Sequence, residues 1–327
     1  MTDLVLALDF GGTKASAGVV EPGRRVWRAR QVAAVPSGAN AATDLAHMLA
    51  LAQSVLAGDR PTAIGVSFGG PVDFDAQMVR LSYHIPGWEG FPLTDRLQSA
   101  LRAPAIIDND GNVAALGEQR FGAGQGCASL LYLTVSTGVG GGWVLGRRIW
   151  RGHHGLAGEI GHMTIEPDGP ICDCGRRGCV ERLASGPWLA RRARELLEAR
   201  PDQGVRLRAR VGGVLDAVDA RAVAAAAEEG DELAWEVLRA AAEALGIAIG
   251  NAQNLMDPER VVVGGGVSKA GGRYWAALRA AAQARAMAGG RCEIMPAALG
   301  DEAPLWGAVA LAQDHFAAID LGRSSSP

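Results

Sequence analysis

Cys172, Cys174 and Cys179 fall within eight positions of one another in "ICDCGRRGCVE", in a chain that has five cysteines in all. A disulfide would use two of these thiols and strand the third, whereas a structural zinc site takes four soft or borderline ligands. Three histidines lie close upstream, His153, His154 and His162, the last of them ten positions before Cys172. A loop of that length closes on an ion at small entropic cost, and one imidazole with three thiolates makes a closed tetrahedral set. A redox role for Cys172 and Cys174 is the alternative, and the third cysteine with a nearby histidine argues for metal. Cys127 and Cys292 are isolated and read as small buried hydrophobes.

A second constellation is "IIDNDGNVAALGE", where Asp108, Asn109, Asp110 and Asn112 crowd a strand-to-helix junction. Asp and Asn cap helices at such places. A carboxylate there can also act as a general base. Three glycine turns complete the chemistry: "LALDFGGTK", with Asp9, Thr13 and Lys14; "STGVGGG", with Thr137 and Gly138; and "VVVGGGVS", with Gly264 and Gly265. Glycines after a strand let backbone amides approach a polyphosphate. None of the turns matches the P-loop or the G-x-G-x-x-G pattern, and each alone is an ordinary turn. Three in one chain, the first preceded by an aspartate at a strand end, argue for phosphate binding.

The elements that must hold these residues alternate as in an α/β protein. "LVLALDF" is an apolar strand that meets its glycine turn, and "ASAGVV" is the strand that returns. "RRVWRARQVAA" continues as a third strand, "NAATDLAHMLALAQSVLA" has helical spacing, and "AIGVSFGG" is a strand again. "SLLYLTVS", "TGVGGG" and "WVLG" repeat the strand, turn and strand theme more than a hundred residues later, which suggests two lobes of related design. "DELAWEVLRAAAEALGIAIGNAQNLM" is a long helix that leads into the buried strand "RVVVGG", the rest is expected to be mostly helix, and "LGRSSSP" reads as a frayed tail. "RRARELLEAR" interleaves acids with arginines and reads as a solvated helix face.

With 327 residues, 48% hydrophobic and 20% charged, the chain can bury a large core and fits a soluble enzyme of two domains. Its net charge of -3, with no basic face, gives no nucleic-acid footprint. It has no apolar run long enough for a membrane span and no signal-peptide pattern, so a cytoplasmic location with reduced thiols is expected.

Taken together, "LALDFGGTK", "DNDGNVAALGE", "STGVGGG", "GLAGEIGH", "CDCGRRGCVE", "VVVGGGVS" and the late "LGDEAPLWGAVALA" resemble, in order and interval, the ROK family of bacterial sugar kinases and related repressors. The resemblance spans residues 4 to about 312. It implies a two-lobed actin/hexokinase-like ATPase fold with ATP in the cleft between lobes. The N-terminal lobe would be residues 1–117, joined by the C-terminal helix 306–318, and the second lobe residues 118–305. By the same resemblance Asp110 is the catalytic base, and Gly70, His84, Asn109, Asp110, Glu159, His162 and Glu181 meet the sugar. Asp9 holds Mg2+, directly or through water. Gly11, Gly12, Thr13 and Lys14 form one phosphate loop, Thr137 and Gly138 the other, and Gly264 and Gly265 lie at the adenosine. His162 joins Cys172, Cys174 and Cys179 as the fourth ligand of a structural zinc.

The implied reaction is ATP-dependent phosphorylation of a hexose at its C6 hydroxyl, glucose first, with N-acetylmannosamine or N-acetylglucosamine as the alternative substrates. His84 departs from the Asn of many relatives, and a bulkier side chain pointing inward would leave less room for an acetamido group. A ROK repressor would carry an N-terminal helix-turn-helix domain, for which the phosphate loop at Asp9 leaves no room. The resemblance implies a homodimer or homotetramer, and the charge and hydropathy of the chain give no expectation of a nucleic-acid or membrane partner.

Overall fold

The structure is a computed structural model and describes residues 3–290 and 292–324. In the first half, β1 (Val5–Phe10), β2 (Lys14–Val20), β3 (Ala29–Ala34), α1 (Ala41–Leu56) and β4 (Ala63–Phe68) are followed by the short β5 (Val72–Asp73) and β6 (Met78–Val79). Then come α2 (Leu93–Leu101), β7 (Ala105–Asn109) and α3 (Asp110–Phe121). The sheet order is β3-β2-β1-β4-β7, antiparallel from β3 to β1 and parallel from β1 to β7. β1 and β4 are apolar runs with both faces covered, as the inner strands of such a sheet must be. Asn40 starts α1 with a capping box shared with Thr43.

The chain continues through β8 (Ser129–Val135), β9 (Val139–Leu145), β10 (Arg148–Trp150), α4 (Val180–Ala184), α5 (Gly186–Ala199), α6 (Val205–Arg210), α7 (Ala220–Glu228) and α8 (Glu232–Met256). It ends with β11 (Arg260–Gly264), α9 (Gly272–Arg285), β12 (Glu293–Pro296) and α10 (Ala303–Ser324). The second sheet runs β10-β9-β8-β11-β12, with β8, β11 and β12 parallel. None of the helices among the described residues is long and apolar enough to cross a membrane.

Two compact units result. One holds residues 1–128, 142–157 and 298–327, the other residues 129–141 and 158–297. The lobe change expected at 117–118 therefore differs from these units. It would fall inside α3, which stays helical to Phe121 because its buried face packs on α10. The C-terminal segment rejoins the first unit from Ala298 onward rather than from residue 306. That docking is backbone to backbone: a Cβ on Gly65 of β4 would overlap the Ala308 carbonyl, and one on Gly307 would overlap that of Val113.

Other expectations also shift. β3 begins at Ala29 rather than at Arg24, and the Trp27 indole before it stacks on Trp306 with ring centroids 4.1 Å apart. Most of "TGVGGG" belongs to β9, and the turn is Ser136–Gly138. β12 is a strand where helix was expected. The tail is helical to Ser324, and residues 325–327 lie outside the described ones.

Candidate active site and metal centre

Asp9, the penultimate residue of β1, lies opposite Ser67, its in-register neighbour on β4, whose hydroxyl donates to Asp9 Oδ1 at 2.8 Å. Burial pushes the Asp9 carboxyl up to about 7; the Ser67 hydrogen bond opposes this, and the nearby charge of Asp110 adds to it. Two neighbouring carboxylates form a donor set suited to a hard divalent cation, which would reverse the Asp9 shift. The turn after Asp9 closes through Gly11 N–H donating to the Lys14 carbonyl at 3.1 Å. Thr13 and Lys14 are exposed, and the Lys14 ammonium stands 3.9 Å from Asp301.

Asp110 is the first residue of α3, capped by Asn109. Asn109 Oδ1 accepts from Gly111 N at 2.9 Å, while its amide donates to the Gly70 carbonyl at 3.1 Å and to Asp110 Oδ1 at 3.0 Å. Asp110 Oδ1 also accepts from Gly111 N at 2.8 Å. The cap and the presentation of the carboxylate are thus one arrangement, and Gly70 belongs to it through its backbone. His84 is exposed, and its ring packs on Gly12 of the first glycine turn: a Cβ there would meet the ring at 2.6 Å. An exposed His84 packed on Gly12 does not narrow the room for an acetamido group as an inward-pointing side chain would.

Asp108 is 2% exposed. It accepts from Asn109 N at 2.8 Å, Asn112 Nδ2 at 3.1 Å and Arg151 Nε at 2.7 Å. Burial pushes its carboxyl up, and Arg151 pulls it back. The Arg151 guanidinium also lies 3.4 Å from the centre of the Phe74 ring. This buried pair supports the junction that presents Asp110. Arg151→Ala should lower stability by about 3 kcal/mol, because it strands a buried charge, and adding Asp108→Asn should restore part of the loss. Urea unfolding checks this; a double variant no more stable than Arg151→Ala would refute the charge argument.

In the second unit, Ser136–Gly138 follows β8, with Ser136 N–H donating to the Gly138 carbonyl at 2.9 Å. Ser136 and Thr137 border a cavity of about 720 Å³ whose further walls include Pro187, Ala224, Glu228 and Val267. That volume suits a nucleotide-sized ligand. Gly264 and Gly265 are not among its lining residues, and Gly266 and Gly271 are. Gly264 lies beneath Tyr132, where a Cβ would stand 2.8 Å from the phenol oxygen, and Gly265 is pressed on the Val135 backbone with φ +88. The two glycines let β11 pass behind the cavity, and the next residues line it.

Glu159 is exposed and precedes a single 3-10 turn, Ile160–His162. Glu181 sits in the first turn of α4, which begins after Cys179. The ligand atoms of His162, Cys172, Cys174 and Cys179 all lie within 4.8 Å of one another. Cys172 Sγ is 4.0 Å from His162 Nδ1, and Cys174 Sγ is 3.6 Å from Cys179 Sγ. Ligands around a tetrahedral zinc stand about 3.3–3.8 Å apart, so the set fits the ion with small adjustments. Burial and the two neighbouring thiols push Cys179 up to about 12, which a bound divalent cation would reverse. His153 and His154 pair with one another, ring centroids 4.5 Å apart, and are not part of this cluster.

Ser67 and Arg151 escape sequence reasoning. Ser67 becomes visible once β1 and β4 are set in register, whereas nothing local marks Arg151, 43 residues from its partner.

The sequence profile of the ROK family matches residues 5–315. The glucokinase of Streptomyces coelicolor is 32% identical over 315 residues, 95% of this chain and 98% of that protein. The N-acetylmannosamine kinase of Shigella flexneri is 33% identical over 310 residues, 94% of this chain and 98% of that protein. The solved structure of a ROK family glucokinase from Streptomyces griseus in complex with glucose and AMPPNP superposes with a TM-score of 0.81 at 34% identity, covering 95% of this chain and 99% of that one. The match over nearly the whole length, with the glycine turns, the Asn109–Asp110 cap and the His–Cys cluster folded as described, means that the chain belongs to the ROK family.

Proposed function

We propose that this protein is an ATP-dependent sugar kinase that phosphorylates the C6 hydroxyl of glucose. The observation that carries this reading is the Asp110 carboxylate, held at the start of α3 by Asn109 and Gly111 with Asp9 close by. Phosphoryl transfer needs alignment, charge neutralisation and a base for the hydroxyl proton. Asp110 takes that proton as the hydroxyl oxygen attacks the γ-phosphorus, and ADP departs. Asp9 would hold Mg2+, which neutralises charge on the phosphates. Gly11, Gly12, Thr13 and Lys14 serve one phosphate loop, Thr137 and Gly138 the other, and Gly264 and Gly265 back the adenosine cavity.

Asn109, Gly70, His84, Glu159, His162 and Glu181 read the sugar hydroxyls, and zinc on His162, Cys172, Cys174 and Cys179 holds that segment in shape. A cytoplasmic dimer or tetramer belongs to the same reading. The N-acetylmannosamine kinase relative keeps that sugar as the second reading.

Carboxylates that accept from sugar hydroxyls lose a partner when a hydroxyl is masked. The cost of about 1–3 kcal/mol predicts roughly ten- to hundred-fold discrimination. We therefore expect kcat/KM to be highest for glucose, lower for mannose, and lower still for N-acetylmannosamine and N-acetylglucosamine. Steady-state ATP consumption on these four sugars tests it; a preference for either N-acetylated sugar would overturn the glucose assignment and leave the kinase reading intact.

A further inference from the structure

Glu181 does more in this fold than face a ligand. Its Oε2 accepts from Val139 N–H at 2.9 Å, and a Cβ on Gly138 would stand 2.5 Å from the same oxygen. The carboxylate therefore rests on the Ser136–Gly138 turn, whose first two residues border the 720 Å³ cavity. The neighbouring elements grip the same turn. A Cβ on Gly161, in the 3-10 turn that ends at His162, would overlap the Val139 carbonyl. At the other end, Gly186 N–H donates to the Ser136 carbonyl at 2.8 Å. Val180 N–H donates to the Met163 carbonyl at 3.0 Å, which ties the start of α4 to the residue after His162.

We infer that Glu181 is a positioning residue for the nucleotide: its carboxylate, bonded to Val139 N–H, sets the phosphate turn and so couples sugar binding to ATP binding within one unit. This rests on the kinase reading above. A hydrogen bond between a carboxylate and a backbone amide is among the stronger ones. A sugar hydroxyl that engages Glu181 fixes the side chain, the fixed side chain fixes the turn, and coupling of this kind is reciprocal.

The test measures each ligand without the other, by calorimetry. In sugar-free protein, Glu181→Ala should weaken AMPPNP binding by about ten-fold, within the usual range of coupling between sites. Glu181→Gln keeps an oxygen acceptor for Val139 N–H and should remain within about three-fold of wild type. In nucleotide-free protein, Gly138→Ala should weaken glucose binding about five-fold: its methyl displaces the flexible Glu181 carboxylate, one of the groups read here as meeting the sugar.

Unchanged AMPPNP affinity in Glu181→Ala, or unchanged glucose affinity in Gly138→Ala, would overturn the inference. If Glu181→Ala does not fold, the Gly138→Ala result alone decides. A wild-type protein that binds no AMPPNP would instead bring down the kinase reading, a separate and recognisable failure.

Discussion

Asp110→Asn is expected to lower turnover by roughly 100-fold or more, the usual contribution of a positioned general base, with sugar and AMPPNP affinities close to wild type. The substitution keeps the shape of the site. An Asn side chain at 110 still offers one oxygen to Gly111 N–H and Asn109 Nδ2, so the cap of α3 survives. What it loses is an oxygen able to accept the hydroxyl proton. The expectation is sharpened by Asp108, the other acid of the junction, which is 2% exposed and paired with Arg151 at 2.7 Å. A carboxylate so enclosed cannot receive a proton from a bound sugar. Steady-state rates with calorimetric affinities test the assignment; near wild-type turnover by Asp110→Asn would sink it and turn attention to Asp9.

Which of these features could be read beforehand depends on how far apart in the chain their causes lie. β1 and its turn were legible because an apolar run, an aspartate and two glycines stand in sequence. The start of α1 was legible because Asn40 and Thr43 form a local capping box. The His–Cys cluster was legible because its members lie on one short stretch; spacing alone left His153 and His154 open beside His162, the family resemblance selected His162, and the geometry groups His162 with the three cysteines. The late start of β3 depends on Trp27, whose indole stacks on Trp306 and donates to Glu302 at 2.8 Å, partners 279 and 275 positions away. The glycines after Ser136 looked like a loop, yet Gly141 must lie in a strand close to the Tyr132 carbonyl, where a side chain would not fit. β12 is a four-residue edge strand ending in proline, too short for its period to show. Long-range pairs such as Asp108–Arg151 leave no periodic trace, so the support of the Asn109–Asp110 junction was hidden while the junction itself was not.

Loss of the metal should affect more than one element. Cys179 is fully buried at the N-terminus of α4, and an isolated bridge joins it to Thr164 across the segment that carries His162. Without an ion, three thiols and an imidazole would crowd a space where Cys179 stays protonated. With zinc they form a closed set, and the binding free energy of such sites, of the order of 10 kcal/mol, becomes folding free energy. Elemental analysis is therefore expected to find one zinc per chain. The double variant Cys174→Ala with Cys179→Ala should lack it, unfold at a clearly lower temperature and lose roughly 10- to 100-fold in turnover, since Glu181 and Gly161 would no longer be held against the Ser136–Gly138 turn. Cys292→Ala lies outside the cluster and should keep the metal. Full zinc retention by the double variant would show that other groups hold the ion. A zinc-free protein of unchanged stability would show that the four side chains need no metal, and either result would remove zinc from the account of how the Glu181 segment is positioned.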